Sequence, residues 1–375
     1  MKNTLLKTIL AAVMATAFIS SAHAQIYGTS GGSLQEIDPT TGDVIASTSI
    51  PNGDDAQSVA VSGSTVYVAS SSPDNTQIII SSYDLSLNSI NSDVATVAST
   101  VSQDGGGLAG PNSLTVVGST LYFNNSSYNT GNITAVNLTD GTSSTIVSIA
   151  NQGDNFNNIA VDPANNTIYG GRFQASTLDT FNATTGDELG SIYLFGGGND
   201  EPGNIAISPD GSTVYVEDYN AGTILTFDAA TGALINGNFI TYFPDDTVVA
   251  GWSGLGFMAL DGNNLYVEDN NTGLLSDYDA TTGAFVGVVA NNDGLNDVAI
   301  INSTYVGTPG GTYGGGTPGV GGYGGTLGDS GENQENPGVG SAPEPRSWAL
   351  AGIIALGFLG MYRRQTKQSV GGMLA

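Results

Sequence analysis

"NIAISPDGSTVYVEDYNAGTILTFDAATGALI", residues Asn204–Ile235, is the stretch on which the reading of this chain turns. Ile205 and Ile207 alternate with smaller residues, as in a strand that shows one face to a core. "SPDG" follows, where Pro209 presets φ and Gly211 accepts a positive φ, so the chain turns back on itself. A second run rich in Val and Tyr comes next, then a polar loop, then a third run ending at Asp228. The pentad Asp228–Gly232, of the form D-x-x-T-G, supplies the tight turn into a fourth strand. No helical period of 3.6 residues runs through it.

The unit recurs. It returns as "GFMALDGNNLYVEDNNTGLLSDYDATTGAFV" at Gly256–Val286, and earlier copies start at Asn158, Ser113 and Ser58. Tyr67, Tyr122, Tyr169, Tyr215 and Tyr266 mark the copies, 46 to 55 residues apart. The pentad recurs at Asp38–Gly42 and Asp279–Gly283, with Asn182–Gly186 alike. Four strands in ~45 residues is one blade of a β-propeller, whereas a parallel β-helix needs shorter rungs. Two fragments remain. Ala24–Ile50 lacks a first strand, and Asn296–Val306 holds a first strand and little more. Joined, they make a blade from both chain ends, which closes the ring and removes exposed edges. The expected fold is all-β, a six-bladed propeller over residues 25–306. Seven blades is the alternative, because "STYV" near its end adds one strand beyond what closure needs.

The ends are of another kind. Lys2 and Lys7, the apolar run "TILAAVMATAFIS" and "AHA" at Ala22–Ala24 make residues 1–24 a secretory leader, cut before Gln25. The absence of cysteine fits an exported chain that folds without disulfides. Between Gln25 and Ala342, 33 carboxylates face a single Arg172, a formal charge near −32. Nucleic acid and anionic membrane surfaces are therefore poor partners, and cations the natural counter-charges. Residues 307–341 are a Gly-rich linker without apolar period, a flexible tether of on the order of 30–35 Å. Residues 342–375 hold Pro343-Glu344-Pro345, the uncharged stretch Ser347–Tyr362, and Arg363, Arg364 and Lys367. That stretch is short for a membrane span, and the basic residues after it face the cytoplasm.

Two resemblances follow from these residues. "SPDGSTVYVEDYNAGTILTFDAATG" resembles the YVTN-type propeller repeat, over about residues 26–306. Glu217-Asp218 and Glu268-Asp269 depart from it where a small residue and Asn are usual. The triplet, apolar stretch and arginines resemble the PEP-CTERM sorting tail of Gram-negative bacteria. That resemblance implies processing by the membrane enzyme exosortase, an inner-membrane-anchored precursor, and a final place at the cell surface or in the extracellular polysaccharide matrix. The propeller resemblance implies a fold and no one activity.

Missing residues narrow the chemistry. His23 leaves with the leader, and no Cys and no Lys before Lys367 remain. Ser-His-Asp and Cys-His nucleophiles, His-ligated zinc and Schiff bases are excluded. Carboxylates and amides suit Ca²⁺. Loops leading into first strands carry Asp54, Asp55, Asp154, Asp200, Glu201, Asp245, Asp246, Asp293 and Asp297, expected around one mouth of the ring. They are either a Ca²⁺ site or solvated turn residues. A second acidic set, Glu217, Asp218, Tyr219, Glu268 and Asp269, is expected on that same face. With Tyr128 and Trp252 it would bind sugar by stacking and hydroxyl contacts. Arg172 is expected to pair with an acid of a neighbouring blade. The expected function is non-catalytic binding of extracellular polysaccharide or a protein partner. A Ca²⁺-dependent enzyme of the lactonase type is the alternative.

Overall fold

A computed structural model describes residues 25–51, 55–100, 111–127, 130–149, 155–172, 175–194, 201–241, 255–269, 272–291 and 295–301. The leader, the linker and the tail with Pro343, Glu344, Pro345, Arg363 and Arg364 lie outside them. Among the described residues no helix is long and apolar enough to cross a membrane.

Six antiparallel sheets of four strands account for the described chain. Blade 1 takes β1 (Gln25–Ser30), β2 (Ser33–Ile37) and β3 (Val44–Ser49). Blade 2 is β4 (Ala56–Ser62), β5 (Thr65–Ser71), β6 (Gln77–Asp84) and β7 (Ser89–Ala98). Blade 3 is β8 (Leu114–Val117), β9 (Thr120–Ser127), β10 (Thr130–Asn137) and β11 (Ser143–Ile149). Blade 4 is β12 (Phe156–Asp162), β13 (Thr167–Arg172), β14 (Thr177–Asn182) and β15 (Glu188–Tyr193). Blade 5 is β16 (Pro202–Ile207), β17 (Thr213–Asp218), β18 (Thr223–Asp228) and β19 (Leu234–Ile240). Blade 6 is β20 (Leu255–Asp261), β21 (Asn264–Asp269), β22 (Leu274–Asp279) and β23 (Phe285–Asn291). The last strand, β24 (Asp297–Ile301), pairs with β1 and completes blade 1, with Gln25 opposite Ile301 and Thr29 opposite Asp297. The innermost strands β24, β4, β8, β12, β16 and β20 touch in a closed cycle. The ring has six blades, so the seven-blade alternative falls.

The core is divided. Six apolar clusters each join two neighbouring blades, as in the one where Tyr215, Ile224 and Ile240 meet Leu255, Leu265 and Tyr278. Inner strands are buried on both faces, β12 and β16 along their whole length. Outer strands face solvent, with Ile45 57% and Val286 61% exposed.

The recurring residues lock blade to blade. Tyr27 Oη donates to the Leu85 carbonyl of the next blade, Tyr122 to Ala183, Tyr169 to Ala229 and Tyr215 to Ala280. Each accepting carbonyl belongs to the residue after the Asp or Asn that opens the turn between third and fourth strands. In those turns the Asp or Asn caps the backbone: Asp228 Oδ1 accepts from Thr231 N at 2.8 Å and Thr231 Oγ1 at 2.7 Å. The closing glycine takes a left-handed φ, 74° at Gly186, and presses on the outer strand of the preceding blade. At Gly186 a Cβ would collide with the Ile146 carbonyl. Blade 2 uses a shorter turn and holds Leu87 at φ 61°, a conformation that costs a non-Gly residue free energy.

Candidate functional site

Each inner strand begins at one face of the ring, and each second strand ends there. This face is the mouth. In blades 3 and 5 the second strand, two positions after the marker tyrosine, sets a polar side chain against the start of its own inner strand. Asn124 shows the arrangement: its Oδ1 accepts from Ser113 N at 2.9 Å and Ser113 Oγ at 3.0 Å. Its Nδ2 donates to the Phe156 carbonyl of the next blade. Glu217 does likewise in blade 5, its Oε2 accepting from Asn204 N at 2.9 Å and Asn204 Nδ2 at 2.8 Å. Asn204 Nδ2 also reaches the Gly256 carbonyl of blade 6. Gly203 permits this, because a Cβ there would strike the Glu217 carboxylate.

Glu268 occupies the same position in blade 6, but the inner-strand partner there is Phe257, which has no donor side chain. Its Oε2 is buried with no hydrogen-bond partner among the described residues. Burial pushes its carboxyl up to about 8, and the neighbouring Asp269 charge adds to the shift.

Asp218 Oδ1 caps the loop after β17, accepting from Asn220 N and Ala221 N. Tyr219 N donates to the Glu201 carbonyl at 2.9 Å, which ties this loop to the one before β16. Burial, then the charges of Glu217 and Glu201, push the Tyr219 phenol up to about 12. Burial, then Asp218, raises Glu201. The structure thus brings Glu201, Glu217, Asp218 and Tyr219 together at blade 5 and puts Glu268 and Asp269 at blade 6. Glu217, Asp218, Glu268 and Asp269 are all buried. Tyr128 and Trp252 lie outside the described residues.

Of the acids in first-strand loops, Asp55, Glu201 and Asp297 are described, and Asp54, Asp154, Asp200, Asp245, Asp246 and Asp293 lie outside the described residues. Asp297 is fully buried, its Oδ2 accepting from Val59 N of blade 2 at 2.9 Å and its Oδ1 from Val298 N at 2.8 Å. Asp55 Oδ1 accepts from Asn296 Nδ2 at 3.3 Å. Among the described residues no group of three or more His, Cys, Asp or Glu is set to hold a metal ion. Arg172 pairs at 3.0 Å with Asp179, a residue of its own blade. Adjacent strands β13 and β14 bring the two together at the mouth end.

The sequence counts one further mouth residue, beside Asp154, among the candidate oxygen ligands. Asn155, just before β12, is fully buried, and neither its Nδ2 nor its Oδ1 has a hydrogen-bond partner among the described residues. Asn157 Oδ1 and Asn158 Oδ1 beside it are buried and unpartnered too. The repeated Ser or Asn at the start of the inner strand (Ser58, Ser113, Asn158, Asn204) marks Asn158 alone of the three.

No protein-family model and no curated protein matches the chain. Among solved structures it is similar to a protein of unknown function from Bacteroides caccae, at 13% identity and a TM-score of 0.51, over 75% of this chain and 99% of that one. The likeness is one of fold. A chain of a nidogen/laminin complex matches at 13% identity and a TM-score of 0.49, over 74% of this chain and 98% of that one.

Proposed function

We propose that this propeller is exported and held at, or released from, the cell surface, where it binds extracellular polysaccharide without altering it. The observation that carries the reading is the amide cluster at the mouth end of blade 4. Among the described residues four buried polar atoms of Asn155, Asn157 and Asn158 lack partners, and each such atom costs ~1–3 kcal/mol unless something pairs with it. Sugar hydroxyls both donate and accept, so they suit an amide with both ends free. The mouth carboxylates support binding over catalysis, since Glu217 and Asp218 are already bonded into the scaffold. The leader and the Pro-Glu-Pro tail support export, an inner-membrane-anchored precursor, and release by exosortase in a Gram-negative host. The repeat pattern supports kinship with YVTN-type propellers.

The test is retention of the mature protein on the host's extracellular polysaccharide, compared with its Asn155→Ala variant. Retention of the parent and at least tenfold weaker retention of the variant, at equal melting temperature, is the expected result. Equal retention of both sinks the amide site, and capture of a protein with no polysaccharide retention replaces the ligand class. Lactone turnover dependent on added Ca²⁺ replaces the whole reading with the enzyme alternative. In a strain lacking exosortase, the protein is expected to stay in the inner-membrane fraction.

A further inference from the structure

On the face opposite the mouth, the turns that end the inner strands meet the turns between third and fourth strands of the next blade. Between blades 5 and 6 these turns stand apart around a cavity of about 640 Å³ that opens to solvent. Turn length is the cause. Blade 5 turns through five residues, Ser208–Ser212, and blade 6 through only Gly262 and Asn263. At the previous junction two long turns meet: Asn165 Nδ2 donates to the Gly211 carbonyl, and a Cβ on Gly211 would lie 2.9 Å from Asp162 Oδ1. At blades 5 and 6 no long turn faces Asp210, which closes on its own turn instead, accepting from Ser208 Oγ at 2.6 Å and Ser212 Oγ at 2.8 Å.

The floor of the cavity is aromatic. Phe239 and Tyr215 meet edge to face, with centroids 5.5 Å apart and planes at 62°. Tyr215 is held in place by its bond to the Ala280 carbonyl at 2.7 Å. The rim is polar, with Asp210 and Asn236 from blade 5 and Asn263 and Thr281 from blade 6. The bonds from Ser208 and Ser212 hold the Asp210 carboxyl below the usual carboxylate range, so it is charged at neutral pH. Among the described residues no cationic side chain lines the cavity. An aromatic floor suits the C–H face of a sugar ring, the amides and Asp210 suit its hydroxyls, and Asp210 repels an anion.

We propose that the cavity between blades 5 and 6 binds a neutral sugar residue and excludes its acidic counterparts. Its volume suits one or two rings. The site is separate from the mouth and shares with the reading above only the ligand class. With both sites in use, one propeller joins two glycan chains through its opposite faces.

The experiment is calorimetric titration of the mature protein with the methyl glycosides of glucose, galactose and mannose, with cellobiose, and with glucuronate. Binding of at least one neutral sugar and none of glucuronate is expected. Asn263→Trp fills the cavity from an exposed turn and is expected to weaken that binding at least tenfold, with the melting temperature kept. Asp210→Asn, which keeps an acceptor for the serines, weakens it and admits glucuronate. Binding of no neutral sugar, equal binding of glucuronate by the parent, or indifference to Asn263→Trp overturns the proposal. Loss of polysaccharide retention in Asn155→Ala with no sugar in the cavity would sink this proposal alone. Sugar in the cavity with retention indifferent to Asn155→Ala would sink only the mouth reading.

Discussion

At Glu268 one residue's environment sets a pH dependence for the fold. Its carboxyl has an ordinary value of 4.5 and is pushed up to about 8 in the folded chain, so the folded state favours the proton. That preference is fully present below 4.5 and is lost as pH climbs through about 8. Glu268→Gln removes the titration. The variant and parent are expected to melt alike in acid, and the variant to melt higher above that window, which thermal scans across pH would read. Gly186 tests a second residue. Gly186→Ala adds a left-handed strain and a collision with the Ile146 carbonyl, and should cost about 2 kcal/mol or more in denaturant titration. Gly63→Ala, with open space around its site, should cost only ~1 kcal/mol. The sequence marked Glu217 and Glu268 as equivalent, and by position they are. What separates them is Asn204 against Phe257 on the facing strand. That pairing depends on register across the sheet, which a linear repeat does not show.

Among elements, the turn between third and fourth strands does two tasks at once. It reverses the chain, and its second residue offers a carbonyl to the tyrosine of the preceding blade. Tyr215→Phe keeps the ring and removes the bond to Ala280, for an expected loss of about 1 kcal/mol. Tyr266→Phe tests the contrast, since the Tyr266 hydroxyl accepts from Asn264 Nδ2 of its own strand. Its loss should be smaller. The turn acids Asp84, Asp140, Asp228 and Asp279 are all held below the usual carboxylate range, chiefly by Asn or Thr side chains in the same turns. Their contribution is present above about 4 and falls away as pH drops through the depressed values. Acid unfolding should therefore begin with these turns, which hydrogen exchange at the Thr231 and Thr282 amides can follow. Strands and turns were legible because a two-residue alternation and D-x-x-T-G are local signals. The turn of blade 3 was less so, for "NLTDG" at Asn137–Gly141 adopts the same bend, with Thr139 N donating to Asn137 Oδ1.

For the molecule as a whole, closure by β24 was legible because the two end fragments complement each other. The cavity was not, since it arises from unequal turn lengths in two blades that only folding sets side by side. Removing residues 297–301 leaves β1 as an open edge and uncouples blade 6 from blade 2. The expected result is a lower melting temperature and a loss of single-step unfolding, with self-association visible by light scattering. The same closure bears on time. Gln25 is among the first residues of the propeller to be made, and its partner Ile301 is among the last. At a synthesis rate of ~5–20 residues per second, the opening strand waits on the order of tens of seconds for its neighbour. Through that interval five complete blades form an arc whose end walls, meant to be sealed by blade 1, stay open. The ring is a clasp that shuts only when the whole propeller has been spelled out, so a chain truncated anywhere before it leaves an unsealed and adhesive product.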